Sequence, residues 1–151
     1  MDKTRSKLSF RIRHPNLDLS VACRQMGLTP THIWKAGDQR RTPKGNLLPG
    51  YQDSSYCSVR FDDGTKGRLS SKIDSAIARL QPHRPVLNNL TSLGAKIEFF
   101  IGWFFAGDSG DTLESGTSRA LADLGISLDI NVYCCEDGLE TAIDDVQNAD
   151  A

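Results

Sequence analysis

The sequence predicts an α+β fold in which two strand-helix-strand halves form one mixed or antiparallel sheet with helices packed on it, a layout close to a ferredoxin-like one. Apolar residues alternate with polar ones in several segments, and segments of helical period lie between them. The pattern Ser-x-Ala-x3-apolar-Gly-apolar in residues 20–28 also recurs in residues 118–126. The recurrence indicates either an internal duplication or a common way of ending a helix before a strand.

The first half begins with a strand, because Leu8, Phe10 and Ile12 alternate with polar residues. Asp18 is a suitable N-cap for a helix over Leu19–Met26, and a glycine follows that helix. The segments 32–34 and 36–50 then read as a short strand and as a loop rich in glycine and proline. A further strand is predicted over 55–61, with an Asp-Asp-Gly turn after it.

The middle of the chain is predicted to be helical. Ser70 or Ser71 is the expected N-cap of a helix that carries Ile73 and Leu80 at core spacing. A second short helix is expected over Val86–Leu93, because a proline precedes it and a glycine follows it.

The last third repeats the strand-helix-strand order. Residues 96–104 are apolar on both faces, which is typical of a central strand that is covered on both sides. A polar loop, a helix over Ser118–Leu124 and a strand over Ser127–Cys134 follow. In that last strand Leu128, Ile130 and Val132 are expected to face inward.

Length and composition favour one domain over residues 1–135 and an acidic tail over residues 136–151. Residues 1–7 are polar and do not resemble a secretory signal. The most apolar run, Ile97–Phe105, is shorter than the roughly 17–25 residues that a membrane helix needs. The sequence therefore predicts a cytoplasmic protein without a membrane partner, and leaves its oligomeric state open.

Charge is distributed unevenly along the chain. The first 45 residues carry ten basic and three acidic side chains, whereas residues 136–151 carry six acidic and no basic ones. One interpretation is a basic face for an acidic protein or a nucleic acid. The other, which we favour, is a solvated surface whose charge the tail partly offsets, because nucleic-acid-binding domains are usually far more basic.

Neither a metal nor a cofactor is predicted. The cysteines and histidines lack the spacing of zinc ligands: Cys23, Cys57, Cys134, Cys135, His14, His32 and His83. We interpret the cysteines as structural or incidental, with a redox role for the adjacent Cys134 and Cys135 as the alternative. The loop at Asp108–Asp111 is too short for a calcium-binding loop of the 12-residue type.

The candidate binding site is the segment Trp34–Arg41 and the loop after it. An aromatic residue, a turn, a carboxylate and two guanidinium groups occur there within eight residues. In one interpretation Asp38 holds a turn, an arginine pairs with it, and Trp34 fills the core. In the other, aromatic walls and basic side chains form a groove for an anion or an acidic protein surface. The candidate binding residues are Trp34, Asp38, Arg40, Arg41, Lys44, Tyr51 and Tyr56.

Several motifs resemble the bacterial family called domain of unknown function 4279. They are Phe-x-Ile-x-His-Pro-x-Leu-Asp at 10–18, Met-Gly-Leu-x-Pro at 26–30, Trp-x-x-Gly-Asp-x-Arg at 34–40, and residues 124–133. That family often places a tryptophan after the glycine-rich loop, where this chain has Tyr51 or Tyr56. The resemblance implies a fold and no catalytic residues. Other small bacterial proteins of this kind include immunity proteins and other binding partners, and the comparison with them is an analogy.

Three functional hypotheses follow, and we rank them in this order. The first is a non-catalytic protein-binding module, such as an immunity or inhibitor protein. The second is a nucleic-acid-binding module that uses the basic residues Arg5, Lys7, Arg11, Arg13, Arg40 and Arg41. The third is an enzyme with a deep pocket near His32 and Asp38, although no familiar catalytic motif occurs in the chain.

Overall fold

The computed structural model describes residues 4–134 and places a five-stranded sheet in the order β2-β5-β1-β6-β7 beside a small hairpin of β3 and β4. The strands and helices are β1 (Arg5–His14), α1 (Ser20–Gln25), β2 (His32–Trp34), β3 (Gln39–Arg41), β4 (Leu47–Tyr51), β5 (Ser55–Lys66), α2 (Leu69–Leu80), α3 (Arg84–Ser92), β6 (Lys96–Phe105), α4 (Ser115–Leu124) and β7 (Ile126–Cys134).

The topology contains a ferredoxin-like core. β1 and β2 both run antiparallel to β5, which lies between them, and β6 pairs antiparallel with the other side of β1. The elements β1, α1, β2, β5, α2 with α3, and β6 therefore form a split β-α-β-β-α-β unit. The α4 helix and β7 extend it, because β7 lies parallel to β6 at the sheet edge. The predicted α+β class with one mixed sheet is confirmed.

The two strand-helix-strand segments are arranged differently, although their helix ends match. Gly27 after α1 and Gly125 after α4 both adopt a left-handed backbone, with φ of +66° and +70°. However, β1 and β2 are separated by β5, whereas β6 and β7 are direct neighbours. The second half of the ferredoxin-like core thus runs through α2 and α3 rather than through α4.

One face of the sheet carries the hydrophobic core. Leu8, Phe10 and Ile12 of β1 lie beside Phe99 and Ile101 of β6, and all five are fully buried. Apolar residues of all four α-helices complete the cluster. The alternation in the sequence predicted this inner face, because every second side chain of a strand points to the same side.

Several predicted boundaries and caps differ from the structure; α4, for example, begins at Ser115 rather than at Ser118. The segment 36–50 was predicted to be a loop but holds β3 and most of β4, because its glycines serve a hairpin rather than a disordered link. β5 continues to Lys66 because its last residues still pair with β1 across register irregularities, and the Asp62 carboxylate accepts the Gly64 and Thr65 amides there. The α2 helix is not capped by its own serines; the carboxylate of Asp111 accepts the Ser70 amide at 2.8 Å.

The end of β7 also differs from the prediction. Leu128 packs against the core, but Ile130 and Val132 are 43% and 55% exposed. Within residues 4–134 no helix has the length and apolar character needed to span a membrane. The predicted acidic tail, residues 136–151, lies outside the described residues, as does Cys135.

Candidate functional site

The β3-β4 hairpin forms one wall of the candidate site. The Thr42 amide donates to the Asn46 carbonyl at 2.8 Å, and the Gly45 amide donates to the Thr42 carbonyl at 2.8 Å. Gly45 has a φ of +89°, a conformation that side chains with a Cβ rarely adopt. The sequence Thr-Pro-Lys-Gly-Asn therefore folds as a tight turn between two short strands.

The turn at Asp38 joins the hairpin to the end of β2. The Asp38 carboxylate accepts the Lys35 amide at 2.9 Å. The Gln52 amide donates to the Asp38 carbonyl at 2.8 Å, and the Gly37 amide donates to the Gln52 carbonyl at 2.9 Å. The hydrogen bonds of Asp38 hold a turn, as one of the two interpretations of this segment expected.

Trp34 does not fill the core, contrary to the other part of that interpretation. It lies half-buried on the outer face of the sheet, where it is the register partner of Tyr56. The two rings stack with centroids 4.6 Å apart. The Arg13 guanidinium lies 4.9 Å from the centre of the buried Tyr56 ring. Tryptophan, tyrosine and arginine thus form a continuous layer that is exposed at Arg13.

The two arginines of β3 are oriented by the hairpin itself. Arg40 Nη1 donates to the Pro49 carbonyl at 3.4 Å, and Arg41 Nη1 donates to the Gly45 carbonyl at 3.1 Å. Both residues are exposed. A guanidinium has five N–H donors in a planar fork, so each arginine retains donors for a carboxylate partner.

Between β2 and the hairpin lies an open groove of about 860 Å³, which we call the Trp34 groove. It is lined by residues 31–34, residues 38–43, Leu48 and Gln52. One wall is β2, the edge strand of the described sheet. It pairs with β5 on one side, and its other edge has no strand partner within the described sheet. The opposite wall carries Arg40 and Arg41, so the groove combines an aromatic surface with positive charge.

The structure brings together four of the seven predicted binding residues as lining of the Trp34 groove: Trp34, Asp38, Arg40 and Arg41. Tyr56 supports the groove from below by stacking on Trp34. Tyr51 lies on β4 opposite Gln39 and is 70% exposed, but it does not line the groove. Lys44 lies in the hairpin turn, outside the lining.

Sequence reasoning assigned no groove role to Thr31, Gln39 and Gln52, which the structure places in the lining. Residues 31 and 52 line the same groove because the chain reverses direction between them. The Thr-Pro-Lys-Gly-Asn turn was the available signal, since it is bounded by short segments that can pair.

The basic residues predicted for nucleic-acid binding do not form one accessible surface. Arg13, Arg40 and Arg41 are exposed, but Lys7 and Arg11 are only 9% and 7% exposed. The Arg11 guanidinium lies 3.7 Å from the centre of the Phe100 ring. Because phosphate contacts require accessible cations, the burial of these two residues interrupts the proposed basic face.

His32 and Asp38 both line the Trp34 groove, at the place where the enzyme hypothesis expected a pocket. Across residues 4–134 no hydrogen bond joins His32 to Asp38, whose carboxylate is used in its own turn. His14 is occupied elsewhere: its Nδ1 accepts the Asn16 and Leu17 amides, so its Nε2 donates to the Leu93 carbonyl at 2.7 Å. No group of three His, Cys, Asp or Glu residues in the described part of the chain is placed to hold a metal ion.

The carboxylate of Asp111, in the loop considered above for a cation, is committed to the fold. Burial raises its pKa, but the hydrogen bonds from Ser70, Arg68 and Thr112 outweigh that effect and hold the pKa well below its usual range. The Arg68 guanidinium lies 2.8 Å from the Asp111 carboxylate. Asp111 therefore caps α2 as a carboxylate.

The fold and site define an α+β protein with a ferredoxin-like core and an open arginine-lined groove at one sheet edge. The chain belongs to the family described as "Domain of unknown function (DUF4279)", whose sequence profile matches residues 3–135. No curated protein and no solved structure matches it.

Proposed function

We propose that this protein is a non-catalytic protein-binding module and that the Trp34 groove is its recognition surface. The observation that carries the proposal is the pairing of a stacked tryptophan on an edge strand with two exposed arginines on the facing hairpin. Tryptophan, tyrosine and arginine are the residue types that contribute most binding energy at protein interfaces. Trp34, Arg40 and Arg41 line the groove, and the buried Tyr56 supports the Trp34 ring by stacking.

The partner that fits this surface is an acidic segment in an extended conformation. An edge strand accepts another strand along its open side, and β2, which carries Trp34, is an edge strand that forms one wall of the groove. Carboxylates on such a segment would meet Arg40 and Arg41 in paired hydrogen bonds. The biological form we propose is an immunity or inhibitor protein in the bacterial cytoplasm, which blocks its partner by stoichiometric binding.

The proposal is tested with the full-length protein as bait in a lysate of its source cell, after nuclease treatment. The test variants are Trp34→Ala and the double variant Arg40→Ala/Arg41→Ala. Two controls match them: Tyr51→Ala removes an exposed aromatic residue outside the groove, and Arg84→Ala/Arg119→Ala removes two exposed arginines from helices. The captured protein is then purified, and its affinity for each variant is measured by calorimetry.

Support requires a stoichiometric complex that weakens at least tenfold with either test variant and less than threefold with either control. Equal affinity for all variants would place the interface elsewhere and overturn the site. Recovery of nucleic acid alone from untreated lysate, released by moderate salt, would favour the nucleic-acid alternative, because phosphate contacts weaken steeply with salt.

A further inference from the structure

Two buried thiols meet between α1 and β5. Cys23 Sγ lies 2.9 Å from Cys57 Sγ, and the two residues are 1% and 0% exposed. Both are free thiols in the structure. A disulfide bond is about 2.05 Å long, so only a small movement separates this contact from a covalent link. The pair was not predicted from the sequence, because the two cysteines are distant along the chain.

We propose that Cys23 and Cys57 are a site of reversible oxidation, at which an intramolecular disulfide joins α1 to β5. The site differs from the Cys134-Cys135 pair considered from the sequence. The fold has already placed two nucleophilic sulfur atoms in contact, so closure needs no rearrangement of the sheet.

The reaction balances with hydrogen peroxide as the oxidant. The Cys23 thiolate attacks one peroxide oxygen, the O–O bond breaks, and a sulfenic acid and water form. The Cys57 sulfur then attacks the Cys23 sulfur, an S–S bond forms, and a second water leaves. Two thiols and one peroxide thus give one disulfide and two waters, and a thiol reductant restores the starting state.

The order of these steps follows from the unequal environments of the two sulfur atoms. The hydrogen bond with Cys57 lowers the pKa of Cys23 despite burial, whereas the contact with Cys23 and burial both raise the pKa of Cys57. Cys23 is therefore the thiol that ionises first and attacks the oxidant, because the thiolate is the nucleophile.

Access to the pair depends on opening of α1. This helix has only six residues, although the Asp18 carboxylate just before it accepts the Ser20 amide at 3.0 Å, close to the capping role that the sequence predicted for Asp18. Isolated helices shorter than about 12–15 residues are marginal in water, so α1 depends on its packing and is a natural place for local opening. We therefore expect the oxidation rate to reach a plateau as peroxide is raised, when opening becomes limiting.

The disulfide would close a loop that contains the whole site. β2 and the β3-β4 hairpin both lie between Cys23 and Cys57 in the chain, and so does every residue that lines the Trp34 groove. Cross-linking a loop of this length stabilises a fold mainly by restricting the unfolded chain. We expect the midpoint of thermal unfolding to rise on the order of 10 °C in the oxidised protein.

The experiment uses the full-length Cys134→Ser/Cys135→Ser variant, which keeps the native buried pair and removes the other two cysteines. It is reduced, treated with hydrogen peroxide, unfolded in the presence of an alkylating reagent and weighed by mass spectrometry. The expected product has lost two hydrogen atoms, about 2 Da, and takes up no alkyl group. Peptide mapping should then show Cys23 linked to Cys57.

Two results would overturn the proposal. One is full alkylation of both thiols after prolonged peroxide treatment, and the other is a gain of oxygen atoms on a single cysteine without a cross-link. A fall in the midpoint of thermal unfolding on oxidation would contradict the expectation that the disulfide stabilises the fold. The readout involves no binding partner, so it stands or falls independently of the proposed function.

Discussion

The Trp34 groove and the polar cluster around the start of α2 use charged side chains in opposite ways. In that cluster, which we define as Asp62, Arg68, Lys72 and Asp111, the charges are paired within the fold. Lys72 Nζ donates to the Ser6 carbonyl at 2.8 Å and to the Asp62 carboxylate at 3.1 Å. In the groove, Arg40 and Arg41 touch only backbone carbonyls of the hairpin among the described residues, and they stay exposed.

The charges that remain available to a partner are those that the fold leaves exposed and unpaired with an acid. A carboxylate or ammonium group that is desolvated and paired inside the fold contributes to stability and loses that contribution when its partner is removed. An exposed guanidinium on a rigid hairpin contributes little to stability and keeps its donors for another molecule. Substitutions in the two regions should therefore separate stability from binding.

The largest effect is expected at Lys72. Replacing it with alanine leaves the Asp62 carboxylate and two backbone carbonyls without their ammonium donor. We expect Lys72→Ala to lower the free energy of unfolding by about 2–3 kcal/mol. Urea unfolding followed by circular dichroism measures this, and Lys66→Ala, which removes an exposed lysine at the end of β5, is the control. Equal losses for both variants would show that the buried contacts of Lys72 add nothing.

The next effect is expected at Asp111, because its carboxylate caps α2 in place of the serines of the helix itself. Asp111→Ala should cost about 1–2 kcal/mol, the usual range for loss of a helix cap. Asp111→Asn should cost less, since an amide oxygen still accepts the Ser70 amide. Asp108→Ala, in the same loop and exposed, is the control. An asparagine variant less stable than the alanine variant would contradict the capping role.

The effect of Asp111 should depend on pH in a definite direction. Its pKa in the folded protein lies below the ordinary value of about 3.9, because hydrogen bonds to the carboxylate outweigh the opposing effect of burial. A lowered pKa means that the stabilisation is fully present above the ordinary value and is lost as the pH falls below it. The stability difference between the protein and Asp111→Ala should therefore be constant from pH 7 to pH 5 and shrink below about pH 4.

The inner face of the sheet was predictable from the sequence because buried positions recur with the period of the strand or helix. Phe10 and Ile12 alternate with polar residues, and Ile73 and Leu80 recur at helical spacing, so local pattern and tertiary position agree. The insertion of β5 between β1 and β2 has no such periodic signal, since strand order is set by contacts between distant segments. The cap from Asp111 to Ser70 escaped prediction for the same reason.

The candidate site was predictable as a segment and not as a surface. Trp34, Asp38, Arg40 and Arg41 drew attention because they are close in sequence, and all four line the groove. Trp34 is partly exposed because it pairs with Tyr56 on the outer face of the sheet. A strand of three residues is too short for its alternation to show which face each side chain takes. Cys23 and Cys57 meet only because α1 folds back onto β5.

A smaller effect on stability is expected at Trp34, because this residue lines the groove and also packs on the fold. Its ring is half-buried and stacks on Tyr56. Trp34→Ala should cost about 1 kcal/mol from lost stacking, in addition to any loss of binding. Chemical unfolding with Tyr51→Ala as the exposed aromatic control measures it. A loss above roughly 3 kcal/mol, the range for a core aromatic residue, would assign Trp34 to the core after all.

The smallest effect on stability, and the largest contrast with binding, is expected for Arg40→Ala/Arg41→Ala. Their hydrogen bonds of 3.4 and 3.1 Å to hairpin carbonyls lie at the exposed surface, where such contacts add little. We expect the free energy of unfolding to change by less than about 0.5 kcal/mol. Arg40→Lys/Arg41→Lys keeps the charge and removes the planar fork, so it should bind a carboxylate partner with intermediate affinity. If the alanine variant instead unfolds as easily as Lys72→Ala, the guanidinium groups hold the hairpin in place, and the groove would be a second structural cluster rather than a binding surface.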